Sequence, residues 1–354
     1  MTSPTSPAKA ALDMEESLAP WEAALLRLLK IPSVTGNEQG VATALESELR
    51  RAFPDAHVFR QDVGEGRWNV LMTKGDPKIT LTTHIDTVPG GPQPSVSYTH
   101  IYGRGACDAK GQVIAQLWGL EQAVAAGLED YRCAFVVGEE TDARGARALL
   151  ELPPTPYLLN GEPTENRFVR HGWGVHEVDI TAEGISAHSS LGTKDSAIHA
   201  LVHDLGVLLQ NEPEGIELNI GTIAGGLAPN VQAPSALCVI CARFRGDPAD
   251  FEAFLDAHVT RSTWRPRFPG TGGVELFVPA LHTGADIEVK FASDCSVYAK
   301  RYDAIMLFGP GRIQDAHTDN ESIERASLRD AARTIGNLLI ELSRSGRLQP
   351  RPVR

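Results

Sequence analysis

Basic charge is scarce in this chain. Lysine and arginine number 33 against 45 aspartates and glutamates, a formal net charge of -12 with a sequence pI near 5.4. Nucleic acid and anionic membrane surfaces both call for basic patches, so neither is expected as a partner. Long apolar runs are missing too, and none approaches the ~20 residues of a membrane span. The opening residues, MTSPTSPAKAALDM, lack the apolar stretch of a secretory signal and read as a short disordered tail. Cysteine is sparse, odd in number at 5, and scattered, which excludes a disulfide framework. The expected compartment is the cytoplasm. Cys238 and Cys241 do form a C-x-x-C in ALCVICARF. That segment alternates like a strand, so the two thiols point to opposite faces, and packing competes with metal or redox chemistry there.

Apolar residues are plentiful enough for real cores. They make up 42% of 354 positions, a length that suits about two domains at ~100–200 residues each. Leu18 to Lys30 reads as an amphipathic helix that Pro32 ends. After the turn SVTGN a second helix is expected near Glu38 to Ala52, then strands near His57–Gln61, Asn69–Thr73 and Ile79–His84. Val113, Leu117, Leu120 and Val124 recur at helical spacing and predict a helix from Gln112 to Ala126. CAFVV runs into GEETD and PYLLN into GEPTEN. Continuous apolar runs with acids at their carboxyl ends have the pattern of buried parallel strands. Strands alternating with helices predict an α/β domain with a mixed, largely parallel sheet flanked by helices. In such sheets, sites gather at the carboxyl ends of the strands.

After about Arg170 the texture changes. HEVDITAEG, IELNIGTIAGG and ALCVICARFRG alternate polar and apolar, and helices are expected over Ser196–Gln210 and Asp250–Val259. Strand, helix, strand, strand, helix fits a smaller α+β sandwich over 171–271, inserted into the first domain, with PRFPGTGG as the return linker. The first domain then comprises 1–170 and 272–354. It resumes with a helix near Asp294–Lys300, the buried strand AIMLFGPG, and a last helix carrying Leu328, Ala331, Ile335, Leu338 and Leu342. A basic tail, RLQPRPVR, closes the chain.

Metal-capable side chains end four of these segments. They are His84-x-Asp86, Asp108 after GRGAC, the pair Glu139-Glu140 with Glu162, and His317 in DAHTDNESI. A lone strand-end histidine is more often structural, and adjacent acids are more often a solvated loop. Their order and context together point to a metal site. Two zinc ions ask for about three protein donors each and a carboxylate able to bridge. Asp108 is the natural bridge, with His84 and Glu162 completing one metal and Glu140 and His317 the other. A hydroxide between metals ~3.5–4 Å apart is nucleophilic at neutral pH. Glu139 is free to move protons. Asp86, two positions after His84 on the same strand face, can accept the second imidazole N–H and fix its tautomer.

These motifs resemble the co-catalytic metallopeptidase family that contains acetylornithine deacetylase, acetylcitrulline deacetylase, succinyl-diaminopimelate desuccinylase and several di- and carboxypeptidases. HIDTVPG, GRGACDAKG, GEETD, NGEPT and DAHTDNE follow that family's order, and ISAHSS and GGLAPNVQAP are similar to its inserted domain. The resemblance implies His84, Asp108, Glu140, Glu162 and His317 as ligands of two zinc ions per chain, which cobalt can replace. It implies Glu139 as general acid/base, and an inserted domain that serves as lid and dimerisation surface, hence a homodimer. His188 resembles the lid histidine that hydrogen-bonds the developing oxyanion, from its own chain or across the dimer. Asn230 and Arg245 resemble lid positions that contact substrate, Arg245 being suited to grip a carboxylate bidentately. Gly309 and Gly311 are expected to offer backbone N–H groups to the same carboxylate. Cys107 stands where a small residue is usual, and either packs or tunes the metal.

The activity this resemblance implies is metal-dependent hydrolysis of the linear amide of an N-acylated amino acid. AIMLFGPGRIQDAHTDNE and GEPT look most like the deacetylase branch, which favours N-acetylornithine or N-acetylcitrulline in arginine biosynthesis. Rival readings on the same fold are deacylation of a lysine-biosynthesis intermediate (carrier-protein-linked or N-acetyl-lysine), desuccinylation of succinyl-diaminopimelate, and dipeptide hydrolysis. The charge of -12 speaks against docking an acidic carrier protein. A rival of another class is a binding protein on an inactive hydrolase fold, and the complete ligand set speaks against it.

Overall fold

The structure, a computed structural model, describes residues 14–191, 195–281 and 284–351. The N-terminal tail expected from the sequence lies outside them up to residue 13, as does the tip of the basic C-terminal tail. In chain order the main elements are α1 (Pro20–Leu29), α2 (Gln39–Ala52), β1 (His57–Gly64), β2 (Arg67–Lys74), β3 (Ile79–His84), α3 (Lys110–Ala125), β4 (Tyr131–Val136), α4 (Arg144–Leu149) and β5 (Tyr157–Asn160). There follow β6 (Gly174–Glu183), α5 (Ala197–Gln210), β7 (Ile216–Gly225), β8 (Ser235–Phe244), α6 (Pro248–His258) and β9 (Thr263–Pro266). The last are α7 (Cys295–Tyr298), β10 (Ile305–Leu307) and α8 (Arg325–Ser345).

Two compact units result. One runs to Arg170 and resumes over Leu276–Ile287 and from Ser293; the other comprises His171–Glu275 and Glu288–Ala292. The return thus falls at Leu276, four residues later than read from the sequence, and the chain dips back into the second unit for 288–292.

The first unit is built on a six-stranded sheet of order β1-β2-β4-β3-β5-β10. β1, β2 and β4 pair antiparallel, whereas β3 runs parallel to both β4 and β5, and β10 parallel to β5. The sheet is therefore mixed, with its parallel half around β3. All six residues of β3 are buried, the threonines included. Their hydroxyls are satisfied, with Thr80 on Thr155 at 2.8 Å, Thr82 on Tyr298 at 3.2 Å and Thr83 donating to the Gly161 carbonyl at 2.8 Å. Such a strand is held rigidly, and whatever follows its carboxyl end is positioned with it. α1, α3 and α8 close the core, burying Leu25, Leu117, Leu120, Leu328 and Ile335. α3 and α8 meet at Gly119, where a Cβ would stand 2.7 Å from the Ala332 carbonyl oxygen; a larger residue would push the helices apart.

The second unit is an antiparallel four-stranded sheet of order β7-β8-β6-β9. Burial alternates along β6 and β8. Their inward residues Val178, Ile180, Cys238 and Ile240 share a core with Leu201 and Leu205 of α5 and Phe251 and Leu255 of α6. Cys238 is buried and Cys241 only partly so, as the strand's period of two requires. β9 is the one strand of this sheet missing from the sequence reading, which assigned its residues partly to a linker. It is an edge strand, where Pro266 is tolerated because its missing N–H faces no partner. No helix among the described residues is long and apolar enough to cross a membrane.

Candidate metal centre

The carboxyl ends of the parallel strands converge in the first unit. β3 ends at His84, and Asp86 follows; β4 leads to Glu139 and Glu140; β5 leads to Gly161 and Glu162; the loop after β10 carries His317. A glycine-rich turn delivers Asp108 just before α3, and its peptide bond to Ala109 is cis. Only the tertiary fold brings these segments together, and it does so at the edge where parallel sheets place their sites.

Two donor groups form there. His84, Asp108 and Glu162 present ligand atoms within 4.8 Å of one another, as do Asp108, Glu140 and His317. Asp108 belongs to both. Its Oδ1 lies 2.9 Å from His84 Nε2 and its Oδ2 lies 3.2 Å from His317 Nε2. His317 Nε2 is also 3.0 Å from Glu140 Oε1. One Glu162 carboxylate oxygen is buried without a hydrogen-bond partner, an arrangement that costs free energy unless a cation or water fills the space. Nitrogen and oxygen donors, a shared carboxylate and an orphaned anionic oxygen fit a pair of divalent ions. His317 is the exposed member, its side chain 48% accessible, and marks the open side. Its backbone sits at φ 60, a left-handed conformation that costs a non-glycine residue ~1–3 kcal/mol and persists where surrounding structure demands it.

The electrostatics agree. Burial disfavours charge on the His84 imidazole, but the hydrogen bonds to Asp108 and Asp86 and the charges of Asp108 and Glu139 together outweigh this and raise its pKa well above the ordinary value. The His317 imidazole, hydrogen-bonded to Asp108 and Glu140, is pushed up to about 10. Both shifts come from the acids gathered around the two imidazoles. Glu139 and Glu162 are raised well above the usual carboxylate range by burial, with His84 opposing and neighbouring acids adding to the rise.

Asp86 acts differently from the sequence expectation. The acceptor nearest His84 Nδ1 is the main-chain carbonyl of Asp86 at 3.0 Å, while the carboxylate stands off at 3.5 Å. That carboxylate accepts the amides of Glu139 and Glu140, at 3.2 and 3.3 Å, and the Thr35 hydroxyl at 2.8 Å. Thr35 therefore belongs to the site's support, although SVTGN reads only as a turn in the sequence. Gln112 is another residue the sequence reading passed over. Its Nε2 donates to the carbonyls of Cys107 and Pro310, both at 2.8 Å, joining the turn before Asp108 to the loop after β10. Asp294, read from the sequence only as the start of a helix, adds a further acid near Glu139 and Glu162. It is buried, and burial with the nearby Asp86 charge raises it to about 7 against the pull of His84. No sequence signal marks an aspartate in FASDC as unusual. Cys107 is buried, its thiol pushed up by burial and donating to the Arg312 carbonyl at 3.3 Å; it packs between the same two loops.

The remaining candidates are placed as follows. The Gly309 amide already donates to Thr164 Oγ1 at 3.0 Å, so it is not an open donor, and the Gly311 amide is 3.5 Å from Ser327 Oγ. In the second unit, the segments carrying His188 and Asn230 pair: the Ser189 amide donates to the Asn230 carbonyl at 3.0 Å, and His188 bridges to Val231. His188 Nδ1 lies 2.7 Å from Ser190 Oγ and 3.2 Å from the Ser190 amide. Arg245 is exposed, its guanidinium 3.5 Å from Glu288.

Comparison with known proteins supplies the family. The signature of Peptidase family M20/M25/M40 matches residues 80–341. A protein of Aspergillus niger named probable carboxypeptidase is 31% identical over 384 residues, covering 88% of this chain and 87% of its own length. In fold the chain is similar to a tripeptidase from Staphylococcus aureus, with a TM-score of 0.78 at 22% identity over 92% of this chain and 98% of that one. It is also similar to the Bacillus subtilis YXEP protein, described as a dinuclear metal-binding peptidase, with a TM-score of 0.68 at 16% identity over 91% and 97% of the two chains. The chain belongs to peptidase family M20/M25/M40.

Proposed function

We propose that this protein hydrolyses the amide bond joining a small acyl or peptidyl group to an amino acid with a free carboxylate, using two zinc ions per chain that cobalt can replace. The observation that carries this reading is Asp108, which turns one carboxylate oxygen to each of two donor groups while Glu139 stands beside them uncommitted to either. Bound dications would supply Lewis acidity, acidifying water and polarising a carbonyl. His84, Glu162, Glu140 and His317 would hold them, with Asp108 shared. Glu139 takes the proton of the attacking water and hands it to the leaving amine. His188 is the hydrogen-bond donor to the oxyanion in this reading, its Nδ1 engaged by Ser190. Arg245 takes the substrate carboxylate, exchanging Glu288 for it; Asn230 and the Gly311 amide are further substrate contacts in this reading.

Within this class, deacetylation of N-acetylornithine or N-acetylcitrulline is supported by the motif resemblance, and release of a C-terminal residue by the name of the Aspergillus niger relative. A panel of N-acetylornithine, N-acetylcitrulline, N-acetyl-lysine, succinyl-diaminopimelate and dipeptides, assayed with added zinc or cobalt, decides between them. A chain that takes up neither metal would instead be a binding protein. A homodimer through the second unit is part of the proposal. β7 is an edge strand, and Ile223 on it is 59% exposed, as is Val202 of α5 at 58%; a second copy pairing along that edge would cover apolar surface. A cytoplasmic location is supported by five cysteines without a disulfide.

A further inference from the structure

DAHTDNE carries His317, and four residues later it carries Glu321, to which nothing above gives a role. Glu321 is wholly buried, at 0% exposure. A buried carboxylate is costly unless its oxygens are engaged. Here Oε1 accepts three main-chain amides, those of Gly105 at 2.9 Å and of Cys107 and Asp108 at 3.0 Å each. Oε2 receives Arg104 Nη1 at 2.5 Å. The Glu321 carbonyl in turn accepts the Gly103 amide at 3.1 Å.

The turn needs such a partner. Gly103 and Gly105 sit at φ 150 and φ 90, and the residues entering α3 have amides with no carbonyl a turn earlier to bond. Amides aimed at one point form an anion-binding concavity, and Glu321 fills it from a segment more than two hundred residues away. One of those amides is that of Asp108. The side chain that gathers them stands on the loop that also holds His317.

We propose that Glu321 is a positioning residue for the dinuclear centre. It locks the 103–108 turn so that the Asp108 carboxylate faces His84 with one oxygen and His317 with the other, and it ties the His317 loop to that turn. The inference rests on the dinuclear reading of the site. Because Asp108 is shared, loosening the turn weakens both metal positions together. Outer partners of this kind change metal affinity ~10–100-fold.

The test titrates zinc or cobalt alone into apo protein, with the cobalt absorption spectrum and the apo melting temperature as further readouts. Glu321→Ala should lose ~10–100-fold in affinity at both positions with a changed cobalt spectrum. Arg104→Ala, which leaves the three amides on Oε1, should bind metal as wild type does. A folded Glu321→Ala protein with wild-type affinities and spectrum overturns the proposal, and so does an Arg104→Ala protein as weak as Glu321→Ala. If Glu321→Ala fails to fold, Glu321→Gln carries the test: it should lose ~10-fold, and unchanged affinity overturns the idea. A wild-type protein that takes up fewer than two metals would refute the dinuclear reading itself rather than the role of Glu321.

Discussion

Asp86 and Glu139 are 53 residues apart in the chain, and the Asp86 carboxylate accepts the Glu139 amide at 3.2 Å. The same carboxylate accepts the Glu140 amide, and the Asp86 carbonyl faces His84 Nδ1. One residue thus sets a proposed ligand histidine from its main chain, and a proposed ligand acid and the proposed proton carrier from its side chain. Geometry at the centre depends on this clamp, so changes to its members should show in metal affinity as well as in rate.

Thr35→Val removes the hydroxyl donor to Asp86 without changing shape. A buried acceptor left short of one donor costs ~1–2 kcal/mol. Thermal unfolding should report that loss, and metal affinity should fall ~10-fold. Wild-type values for both would mean that the Thr35 contact is incidental.

Glu139→Gln should lower kcat by ~10²–10⁴-fold while two metals per chain remain bound. Elemental analysis alongside the kinetics separates the two effects. Retained activity would show that another group moves the proton.

Asp108→Ala should lose metal from both positions at once, because each donor group contains it. Glu140→Ala should weaken one position only. Equal stoichiometry in the two variants would contradict the sharing.

His188→Ala should lower kcat ~10²–10³-fold, the effect of removing one oxyanion donor. KM and metal content should stay near wild type. A change confined to KM would assign His188 to substrate binding.

Stability should depend on pH through Glu22, which is fully buried and paired with Arg325 at 2.8 Å and Arg329 at 2.6 Å. Burial raises its carboxyl, but the Arg325 hydrogen bond, the Ala19 amide and both guanidinium charges prevail, and its pKa ends below the ordinary 4.5. A folded-state pKa below the unfolded one adds stability above pH ~4.5 that is lost as pH falls through the folded value. Glu22→Ala should cost ~3–5 kcal/mol at neutral pH by stranding Arg325. It should also flatten the acid limb of a melting-temperature profile between pH 3 and 5. An unchanged acid limb would move the effect to other carboxylates.

Local pattern made most elements readable. Val113, Leu117, Leu120 and Val124 mark α3, the alternation in HEVDITAEG marks β6, and CAFVV marks β4, because burial imposes a period that neighbouring residues carry themselves. β9 escaped because an edge strand needs no such period and tolerates proline. At the site, His84, Asp108, Glu140, Glu162 and His317 could be named as donors because their residue types and strand-end places are written locally.

What the sequence determined by itself was the inventory: which donors exist, which strands deliver them, and that a smaller unit interrupts the first. Which atom meets which was decided by the tertiary structure alone. Asp108 dividing its oxygens between two histidines, His84 resting on a carbonyl instead of a carboxylate, and Glu321 gathering three amides all join segments distant in the chain. The reason is physical. Secondary structure follows from interactions a few residues long, whereas a hydrogen bond is made or missed over tenths of an ångström set by the packing of the whole core.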